Sequence, residues 1–538
     1  MPQPPRNESI FASANFRHTI VLAALLVVWL LIFMRATQVF APGTLRGSFS
    51  SDEAIPILMS NDRRPITLFN YYYYGAGRWG GWPFLFAQLF RRATGIRWTD
   101  QRLFFAQTGW VFVGAFVVAG FTSSERVIIS LIYLLIITLH PGVANRVFTL
   151  SQVYGWQVTA LLFAWYGLRR FLDDKSSRPT RNFLGPIAWA VVTLWFSFLA
   201  IWSSLASVPI LFFLAALEGT RAYHLIPDAR WPHRVRRPIT ALAVVGLATV
   251  CEYLLRADYH RYNFKRYHLE YRWTVHLDRG YLGPNLSREA ENLWMYPWWR
   301  LYYLIAVIVL FGVACFLFYS ARRHRASLSQ QFRELMKSDV AMLMAGSLGI
   351  AVINFVGIVL ADHVRLNLYD NRFMTLTYLF ASMSGLLSIF WIIRITSQRW
   401  LTRSHFVAKV FAALALIALA TEFPPRTHDP AYDQVKEIAA TLELRAPDGA
   451  LLGGYWDTYI FVCQQADHAL APIPLEGQDL RTPWTPGMLR TGTLAVLEYG
   501  NGHFPVPQTL AQRGKIFNLI NERWYENGQY VFALYVTR

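Results

Sequence analysis

The chain has 538 residues, of which 54% are apolar and only 16% are charged. Soluble proteins average about 25% charged residues, and the mean hydropathy of this chain is +0.27. The composition therefore excludes a disordered chain and an ordinary soluble enzyme. It predicts a membrane protein with several spans and a water-exposed part.

The net charge of +18 is unevenly distributed. Residues 422–538 hold nine Lys or Arg and thirteen Asp or Glu, so the positive charge lies in residues 1–421, in short loops between apolar runs. Such a distribution is typical of topology signals and of contact with anionic lipid. Because the sequence carries no zinc-type spacing, helix-turn-helix or RNA-binding signature, it predicts no nucleic-acid partner.

Apolar runs that resemble membrane spans recur along residues 19–421, and a span needs about 20 apolar residues. Six runs are long enough, at 19–40, 103–121, 239–255, 301–319, 340–361 and 373–395. Five shorter runs need flanking residues to complete a span, at 127–139, 156–168, 187–201, 205–217 and 410–421. The sequence thus predicts an all-α membrane domain, 1–421, of about eleven transmembrane helices. The two runs beside 202–204 leave one bent helix as an alternative.

The pattern of the remaining residues, 422–538, predicts a small α/β domain. Helical periodicity covers 431–444, and strand patterns cover 450–455 and 493–499. Two further strands, at 515–524 and 529–536, are predicted to form a hairpin.

Lys and Arg are concentrated in the loops 169–183, 219–238, 320–339 and 396–409. The positive-inside rule places these loops and the N-terminus in the cytoplasm, and it places the tail outside. We expect a multi-pass protein of a bacterial inner (plasma) membrane, since the loops are short. A glycosylation sequon at Asn285 leaves an endoplasmic-reticulum membrane open. Two loops that are predicted to face outward, 41–101 and 256–300, are long and rich in aromatic and cationic residues. Cations are not expected on that side, so we expect these loops to carry function.

The first outward loop carries an acidic pair, Asp52 and Glu53, about a dozen residues after the first span. An acid near the hydrocarbon edge is costly and tends to be functional, and an aspartate can take a proton from an attacking hydroxyl. The structural alternative is a helix start, in which Ser51 is the N-cap and the acids occupy the first turn. The two interpretations are compatible, because a capped helix start presents a carboxylate rigidly.

A cytoplasmic N-terminus, a first span, this acidic pair, about a dozen spans and an outward C-terminal domain together resemble the GT-C superfamily of membrane glycosyltransferases. The protein O-mannosyltransferases and the lipid A aminoarabinose transferases are the most similar members. The resemblance implies a sugar donor linked to a polyprenyl phosphate, with Asp52 as the catalytic carboxylate and Glu53 supporting it. The tail does not resemble the β-trefoil domain of the eukaryotic mannosyltransferases, which argues against a protein acceptor of their kind.

A lipid-phosphate donor requires cations near the outer interface, which bind the phosphate and stabilise its charge as it leaves. The sequence offers two sets, one between residues 261 and 272 and one between two spans near residue 370. The candidates are Arg261, Lys265, Arg266, Arg272, Arg365 and Arg372, with Arg372 preferred. The alternatives are an amphipathic helix in the headgroups for the first set, and ion pairs with Asp362 or Asp370, or snorkelling, for the second.

Several aromatic residues are candidates for contact with the sugar or the acceptor, namely Tyr71, Tyr74 and Trp79, together with His140 on the same outer face. The alternative for the tyrosine run and the tryptophan is an interfacial aromatic belt. For His140 it is a residue at a helix end. The sequence leaves open whether a divalent metal ion takes part. In the tail, 455–459 (YWDTY) suits either carbohydrate contact or a turn beside a strand.

The leading hypothesis is an inverting glycosyltransferase that moves a sugar from a polyprenyl-phosphate donor to a hydroxyl of a glycan, lipid or protein on the outer face. A transporter or lipid flippase is the alternative, although the sequence shows no internal repeat of the kind that transporters carry. A non-catalytic membrane scaffold is the third possibility.

Overall fold

The computed structural model describes residues 27, 29–43, 51–74, 79–122, 125–173, 184–225, 231–267, 279–324, 328–361, 364–365, 368–396, 429–446, 449–465, 470–475, 482–485, 489–500, 506–512, 514–527 and 530–538. Over these residues the protein is mostly helical up to residue 396 and carries a small sheet near its C-terminus. The predicted boundary between the two domains, at 421/422, lies outside the described residues.

The N-terminal half begins with a short apolar helix and a set of helices that carry the first outward loop. These are α1 (Trp29–Phe40), α2 (Ser51–Asn61), α3 (Trp82–Thr94), α4 (Asp100–Ala119), α5 (Arg126–Leu139), α6 (Pro141–Val147) and α7 (Tyr154–Asp173). A short 3₁₀ turn, Leu68–Tyr71, lies between α2 and α3. Helix α3 lies within the first outward loop, 41–101.

The second half of the helical part contains longer helices. They are α8 (Leu184–Ser203), α9 (Ser207–Leu225), α10 (Trp231–Tyr267), α11 (Arg279–Leu293), α12 (Pro297–His324), α13 (Leu328–Lys337), α14 (Asp339–Val359) and α15 (Thr375–Thr396). The runs beside 202–204 form two helices, α8 and α9, and not one bent helix. A 3₁₀ turn, Asn371–Met374, leads into α15.

Within the described residues, six helices are long and apolar enough to cross a membrane, and α5 with α6, bent by 85°, would be a seventh span. The six candidates lie in α4, α8, α10, α12, α14 and the segment that ends in α15. The predicted run 410–421 lies outside the described residues. The predicted total of eleven spans therefore stays a prediction.

Loops predicted to share the cytoplasmic side meet in one cluster of ion pairs. Arg169, near the end of α7, contacts Asp339 at the start of α14. Arg221, on α9, lies 2.7 Å from Asp173 and 3.7 Å from Asp339. Three helix ends that are distant in sequence therefore lie on the same face of the helical part.

The C-terminal domain has α16 (Pro430–Arg445) and α17 (Tyr455–Gln464) beside a six-stranded sheet in the order β2-β1-β3-β6-β5-β4. The strands are β1 (Ala450–Gly453), β2 (Ala471–Pro474), β3 (Leu494–Gly500), β4 (Thr509–Gln512), β5 (Lys515–Asn527) and β6 (Tyr530–Thr537). The first three pair in parallel, and the pairs β3–β6, β6–β5 and β5–β4 are antiparallel. The predicted helix, strands and hairpin are confirmed, whereas α17, β2 and β4 were not predicted.

The C-terminal domain packs directly onto the first outward loop. Helix α17 lies along α2, and its Tyr459 and Cys463 belong to the same buried apolar cluster as the membrane helices. Arg97, before α4, donates to the carbonyl oxygens of Cys463 and Gln465. The acidic helix is thus enclosed by the membrane part on one side and by the C-terminal domain on the other.

Candidate active site

The acidic pair opens α2, as the helix-start interpretation predicts, with Asp52 and Glu53 in the first turn. Asp52 is half-buried, whereas Glu53 is only 5% exposed. The Glu53 Oε1 atom accepts a hydrogen bond of 2.6 Å from Ser151 Oγ, and Gln152 Nε2 donates to the same hydroxyl at 3.3 Å. The two acids therefore have different surroundings, one held inside the protein and one partly open.

A small cavity is lined by hydrogen-bond partners of this pair. Its lining includes Tyr73, Ser151, Gln152 and Trp156. Ser151 is the hydrogen-bond partner of Glu53, and the Tyr73 hydroxyl donates to the Asp52 carbonyl oxygen at 2.5 Å. One small cavity thus contains a direct partner of each acidic residue.

The tyrosine run Tyr71–Tyr74 fixes the first outward loop from several directions. Tyr72, Tyr73 and Tyr74 are at most 1% exposed, so an interfacial belt does not describe them. The Tyr72 hydroxyl donates to Glu252 on α10 at 2.9 Å. The predicted sugar contact Tyr71 is half-buried and its ring stacks on Trp202 at 5.8 Å.

Tyr74 belongs to a polar cluster just after α2. Its hydroxyl donates to Asp62 Oδ2 at 2.5 Å, and Arg64 contacts the same carboxylate at 2.5 and 3.0 Å. Burial, followed by the charge of Asp62, raises the pKa of Tyr74 well above its ordinary value, so the phenol stays protonated and donates. Asp62 was not singled out in the sequence analysis, although it lies in the same loop as the acidic pair.

Trp79 lies in the first outward loop, after the tyrosine run. Its backbone pairs with Ser204, between α8 and α9, and its ring packs edge-on against Tyr73 at 5.7 Å. Trp79 therefore ties the loop to the membrane helices beside the cavity. Its predicted contact with a sugar stays a prediction.

His140 sits at the bend between α5 and α6 and is fully buried. Its Nδ1 accepts from the Gly142 N–H at 3.1 Å, so the other nitrogen carries the proton and donates to Tyr303 Oη at 2.8 Å. The rings of Trp299 and Tyr378 lie at 4.5 and 5.0 Å. These contacts agree with the alternative that His140 is a helix-end residue.

Arg372 belongs to a charged cluster around Asp370. The Arg372 Nε atom lies 3.5 Å from Asp370 Oδ2, and Arg146, on α6, lies 3.2 Å from Asp370 Oδ1. Arg146 also donates to Asn371 Oδ1 at 3.3 Å. The ion pair predicted as the alternative for Arg372 is therefore present, and Arg146 shares the same carboxylate.

The other predicted cations lie on different elements. Arg261, Lys265 and Arg266 are exposed on the last turns of α10, where Arg261 pairs with Asp258 at 3.2 Å. Arg365 lies over the ring of Tyr281 at 4.0 Å from its centroid. The remaining candidate, Arg272, lies outside the described residues.

A single segment, 140–153, connects the acidic pair with the arginine cluster. Arg146 occupies the last turn of α6, and Ser151 follows five residues later, bonded to Glu53. The segment therefore contacts both groups. Ser151 bonds to Glu53, and Arg146 pairs with Asp370, which also pairs with Arg372. Ser151 was not singled out in the sequence analysis, since a lone serine in a loop carries no sequence signal.

Glu289, on α11, is a second buried acid near the arginine cluster. It is fully buried, and its Oε2 accepts from Asn292 at 3.1 Å. Its Oε1 has no hydrogen-bond partner among the described residues. Burial, with Asp370 nearby and despite the Asn292 hydrogen bond, raises the pKa of Glu289 to about 7.

The part of the chain that the structure describes contains no group of three or more His, Cys, Asp or Glu side chains able to hold a metal ion. The acidic pair supplies two carboxylates, and one of them is engaged by Ser151.

Comparison with solved structures finds similarity over most of the chain. ArnT from Cupriavidus metallidurans, bound to undecaprenyl phosphate, matches with a TM-score of 0.47 and 12% identity over 97% of this chain and 98% of that protein. AglB, an oligosaccharyltransferase from Archaeoglobus fulgidus, in complex with an inhibitory peptide and a dolichol-phosphate, matches with a TM-score of 0.44 and 10% identity over 91% of this chain and 70% of that one. The apo form of an oligosaccharyltransferase from the same organism matches with a TM-score of 0.43 and 10% identity over 88% and 69%.

ArnT and AglB are both GT-C glycosyltransferases, the superfamily that the sequence resembles. At TM-scores below 0.5 it assigns neither a fold nor the role of any residue to this chain. No protein-family model matches the sequence, and no curated relative was found.

Proposed function

We propose that the protein is a membrane glycosyltransferase that moves a sugar from a polyprenyl-phosphate donor to a hydroxyl acceptor on the outer face of the membrane. The observation that carries the proposal is the acidic pair at the start of α2. Glu53 is buried and bonded to Ser151, and Asp52 is half-buried with its carbonyl bonded to Tyr73.

In the reaction, the acceptor hydroxyl oxygen attacks the anomeric carbon while the bond from that carbon to the phosphate oxygen breaks. Asp52 takes the hydroxyl proton, and the phosphate leaves on its lipid carrier with the bonding electron pair. Attack from the side opposite the phosphate inverts the configuration. A positioned carboxylate base typically contributes about 10²–10⁴-fold to such a step.

Glu53 supports Asp52 by holding the first turn of α2 in place. Its carboxylate is tied to the 140–153 segment through Ser151, and the Asp52 carbonyl is tied to Tyr73. These two hydrogen bonds approach the helix start from different elements, so they restrict the direction of the Asp52 side chain. Preorganisation of this kind avoids reorganisation during the reaction.

The leaving phosphate is assigned to Arg372, together with Arg146. Both guanidinium groups contact Asp370, and a phosphate carries more charge and more acceptor oxygens than that single carboxylate. Arg365, Lys265, Arg266 and Arg261 would attract the anionic headgroup from farther out, since the last three lie exposed at the end of α10. Tyr71, Tyr74, Trp79 and His140 remain proposed contacts for the sugar or the acceptor.

The deciding experiment compares wild type with Asp52→Asn, purified in nanodiscs. The donors are undecaprenyl phosphate carrying mannose or 4-amino-4-deoxyarabinose, and the acceptors are lipid A and a Ser/Thr-rich peptide. The expected result is transfer by wild type and a loss of at least about 10²-fold in Asp52→Asn with unchanged thermal stability. Asp433→Asn, on the exposed face of α16, is the matched control.

Full activity in Asp52→Asn would show that Asp52 is not the catalytic base. Wild-type protein that transfers nothing but moves the lipid between leaflets would instead support the flippase.

A further inference from the structure

The segment 482–485 of the C-terminal domain lies against the first outward loop. The guanidinium carbon of Arg64 is 3.1 Å from the centroid of the Trp484 ring. Phe69 and Tyr74 present their rings edge-to-face to Trp484 at 5.0 and 5.1 Å. A cation over an indole face with two perpendicular aromatic neighbours is a directional contact.

The loop side of this contact is fixed to the end of the acidic helix. Arg64 pairs with Asp62, which directly follows the last residue of α2, Asn61. Tyr74 donates to the same carboxylate, and Asn70 donates to the Tyr74 hydroxyl at 3.1 Å. Any displacement of Trp484 therefore acts on Asp62, the residue that directly follows α2.

The other side of the contact is fixed within the C-terminal domain. Thr482 Oγ1 lies within hydrogen-bond distance, 3.1 Å, of the hydroxyl of Tyr459, on the helix that packs along α2. The domain thus holds α2 along its side through α17 and at its end through Trp484. At the opposite end, Tyr73 holds the Asp52 carbonyl.

We propose that Trp484 is a positioning residue for the transfer reaction: through Arg64 and Asp62 it fixes the orientation of α2 and therefore the direction of the Asp52 carboxylate. This inference rests on the proposed function. Helix α2 has 11 residues with Pro56 inside it and is about 16 Å long, so a shift at Asp62 is passed along its backbone toward Asp52. A misplacement of about 1 Å at a reacting group can cost about 10²-fold in rate.

The test uses the full-length protein in nanodiscs with three variants. Trp484→Ala removes the ring, Trp484→Phe keeps an aromatic face, and Trp298→Ala is the control, because Trp298 is 86% exposed. The measurements are kcat and KM with whichever undecaprenyl-phosphate sugar wild type uses, and hydrogen exchange over residues 51–74.

We expect Trp484→Ala to lower kcat about tenfold with KM for the donor changed less than about twofold, since the donor phosphate site is on other elements. Amide exchange in 51–74 should rise in the same variant. Trp484→Phe should recover most of both properties, and Trp298→Ala should match wild type.

Arg64→Gln is a second test of the same contact, because it removes the cation and changes no residue of the C-terminal domain. The double variant should be no worse than the worse single variant, since both break one contact. Unchanged exchange over 51–61 in folded Trp484→Ala and Arg64→Gln would overturn the inference, as would independent, additive losses. If exchange responds as expected but wild type transfers no sugar, the positioning contact stands and the proposed function fails.

Discussion

Ser151 donates a hydrogen bond of 2.6 Å to Glu53 across 98 residues of sequence. Both residues are buried, so the bond is screened from water and the Glu53 carboxylate is kept in one orientation. The same bond joins the first outward loop to the segment that carries Arg146, and through Asp370 to Arg372. It is therefore the direct link between the two halves of the proposed site.

Removing this bond is expected to slow the reaction while leaving the donor site intact. Ser151→Ala should lower kcat about tenfold, because a hydrogen bond to a charged group is worth about 1.5–3 kcal/mol, and KM for the donor should change little. Glu53→Gln should lower kcat further, since the amide can also turn its NH₂ toward Ser151. Steady-state kinetics on the purified protein measure both effects.

Glu291→Gln is the control for these two variants, because Glu291 is an exposed partner of Arg288 on α11. Wild-type kcat in Ser151→Ala would show that the bond between Ser151 and Glu53 has no part in catalysis.

The arginine cluster is expected to bind the phosphate of the lipid carrier. Arg372→Gln should weaken the binding of undecaprenyl phosphate about tenfold or more, because it removes a charge-assisted contact. Arg372→Lys should retain part of the affinity, since the charge stays but the planar fork is lost. The dissociation constant can be measured by native mass spectrometry in detergent.

Arg288→Gln, which changes an exposed arginine paired with Glu291, should bind undecaprenyl phosphate as wild type does. Equal affinity of Arg372→Gln and wild type for undecaprenyl phosphate would show that the phosphate binds elsewhere. The exposed cations at the end of α10 would then be tested.

The contact between the first outward loop and α10 is expected to be a major source of stability. Arg256 pairs with Glu252 at 2.6 Å, and Tyr72 donates to the same carboxylate. Glu252→Gln removes the negative charge that pairs with the buried Arg256, and breaking a buried ion pair typically costs about 3–5 kcal/mol. Tyr72→Phe removes one hydrogen bond and should cost about 1 kcal/mol.

Thermal unfolding in one detergent compares these variants, with Tyr281→Phe as the control, because Tyr281 is 40% exposed. The expected order of melting temperature is Tyr281→Phe above Tyr72→Phe above Glu252→Gln. A Glu252→Gln variant as stable as wild type would contradict the buried ion pair.

Glu289 is expected to make stability depend on pH. Burial raises its pKa from 4.5 to about 7 in the folded protein, so the folded state holds this proton more tightly than the unfolded state. The resulting stabilisation is fully present below pH 4.5 and is lost as the pH rises to about 7. Glu289→Gln mimics the protonated side chain. Its melting temperature should therefore fall less than that of wild type as the pH rises from 5 to 8.

Melting temperatures of wild type and Glu289→Gln across this range measure the effect. Glu334→Gln, an exposed acid paired with Lys337, should follow the wild-type curve. Parallel curves for wild type and Glu289→Gln would mean that Glu289 is ionised in the folded protein throughout.

The sequence alone determined the six apolar helices long enough to span a membrane among the described residues, the helix start at Asp52 and Glu53, and most strands of the C-terminal domain. These features depend on local composition and periodicity, because a span must be apolar along about 20 residues and a strand must alternate. Helix α17 was missed because its short segment, YWDTY and the residues after it, carries no clear period of its own. In the folded protein it packs along α2.

Only the tertiary structure decided which polar residues meet. Glu53 with Ser151, Tyr72 with Glu252, and Arg64 with Trp484 are separated by 98, 180 and 420 residues, and no local pattern encodes such pairs. The tyrosine run illustrates the difference: the composition of Tyr71–Tyr74 fits a membrane interface, yet three of its four side chains are buried. Burial of their hydroxyls requires hydrogen-bond partners, and the fold supplies those partners from α2, α10 and Asp62.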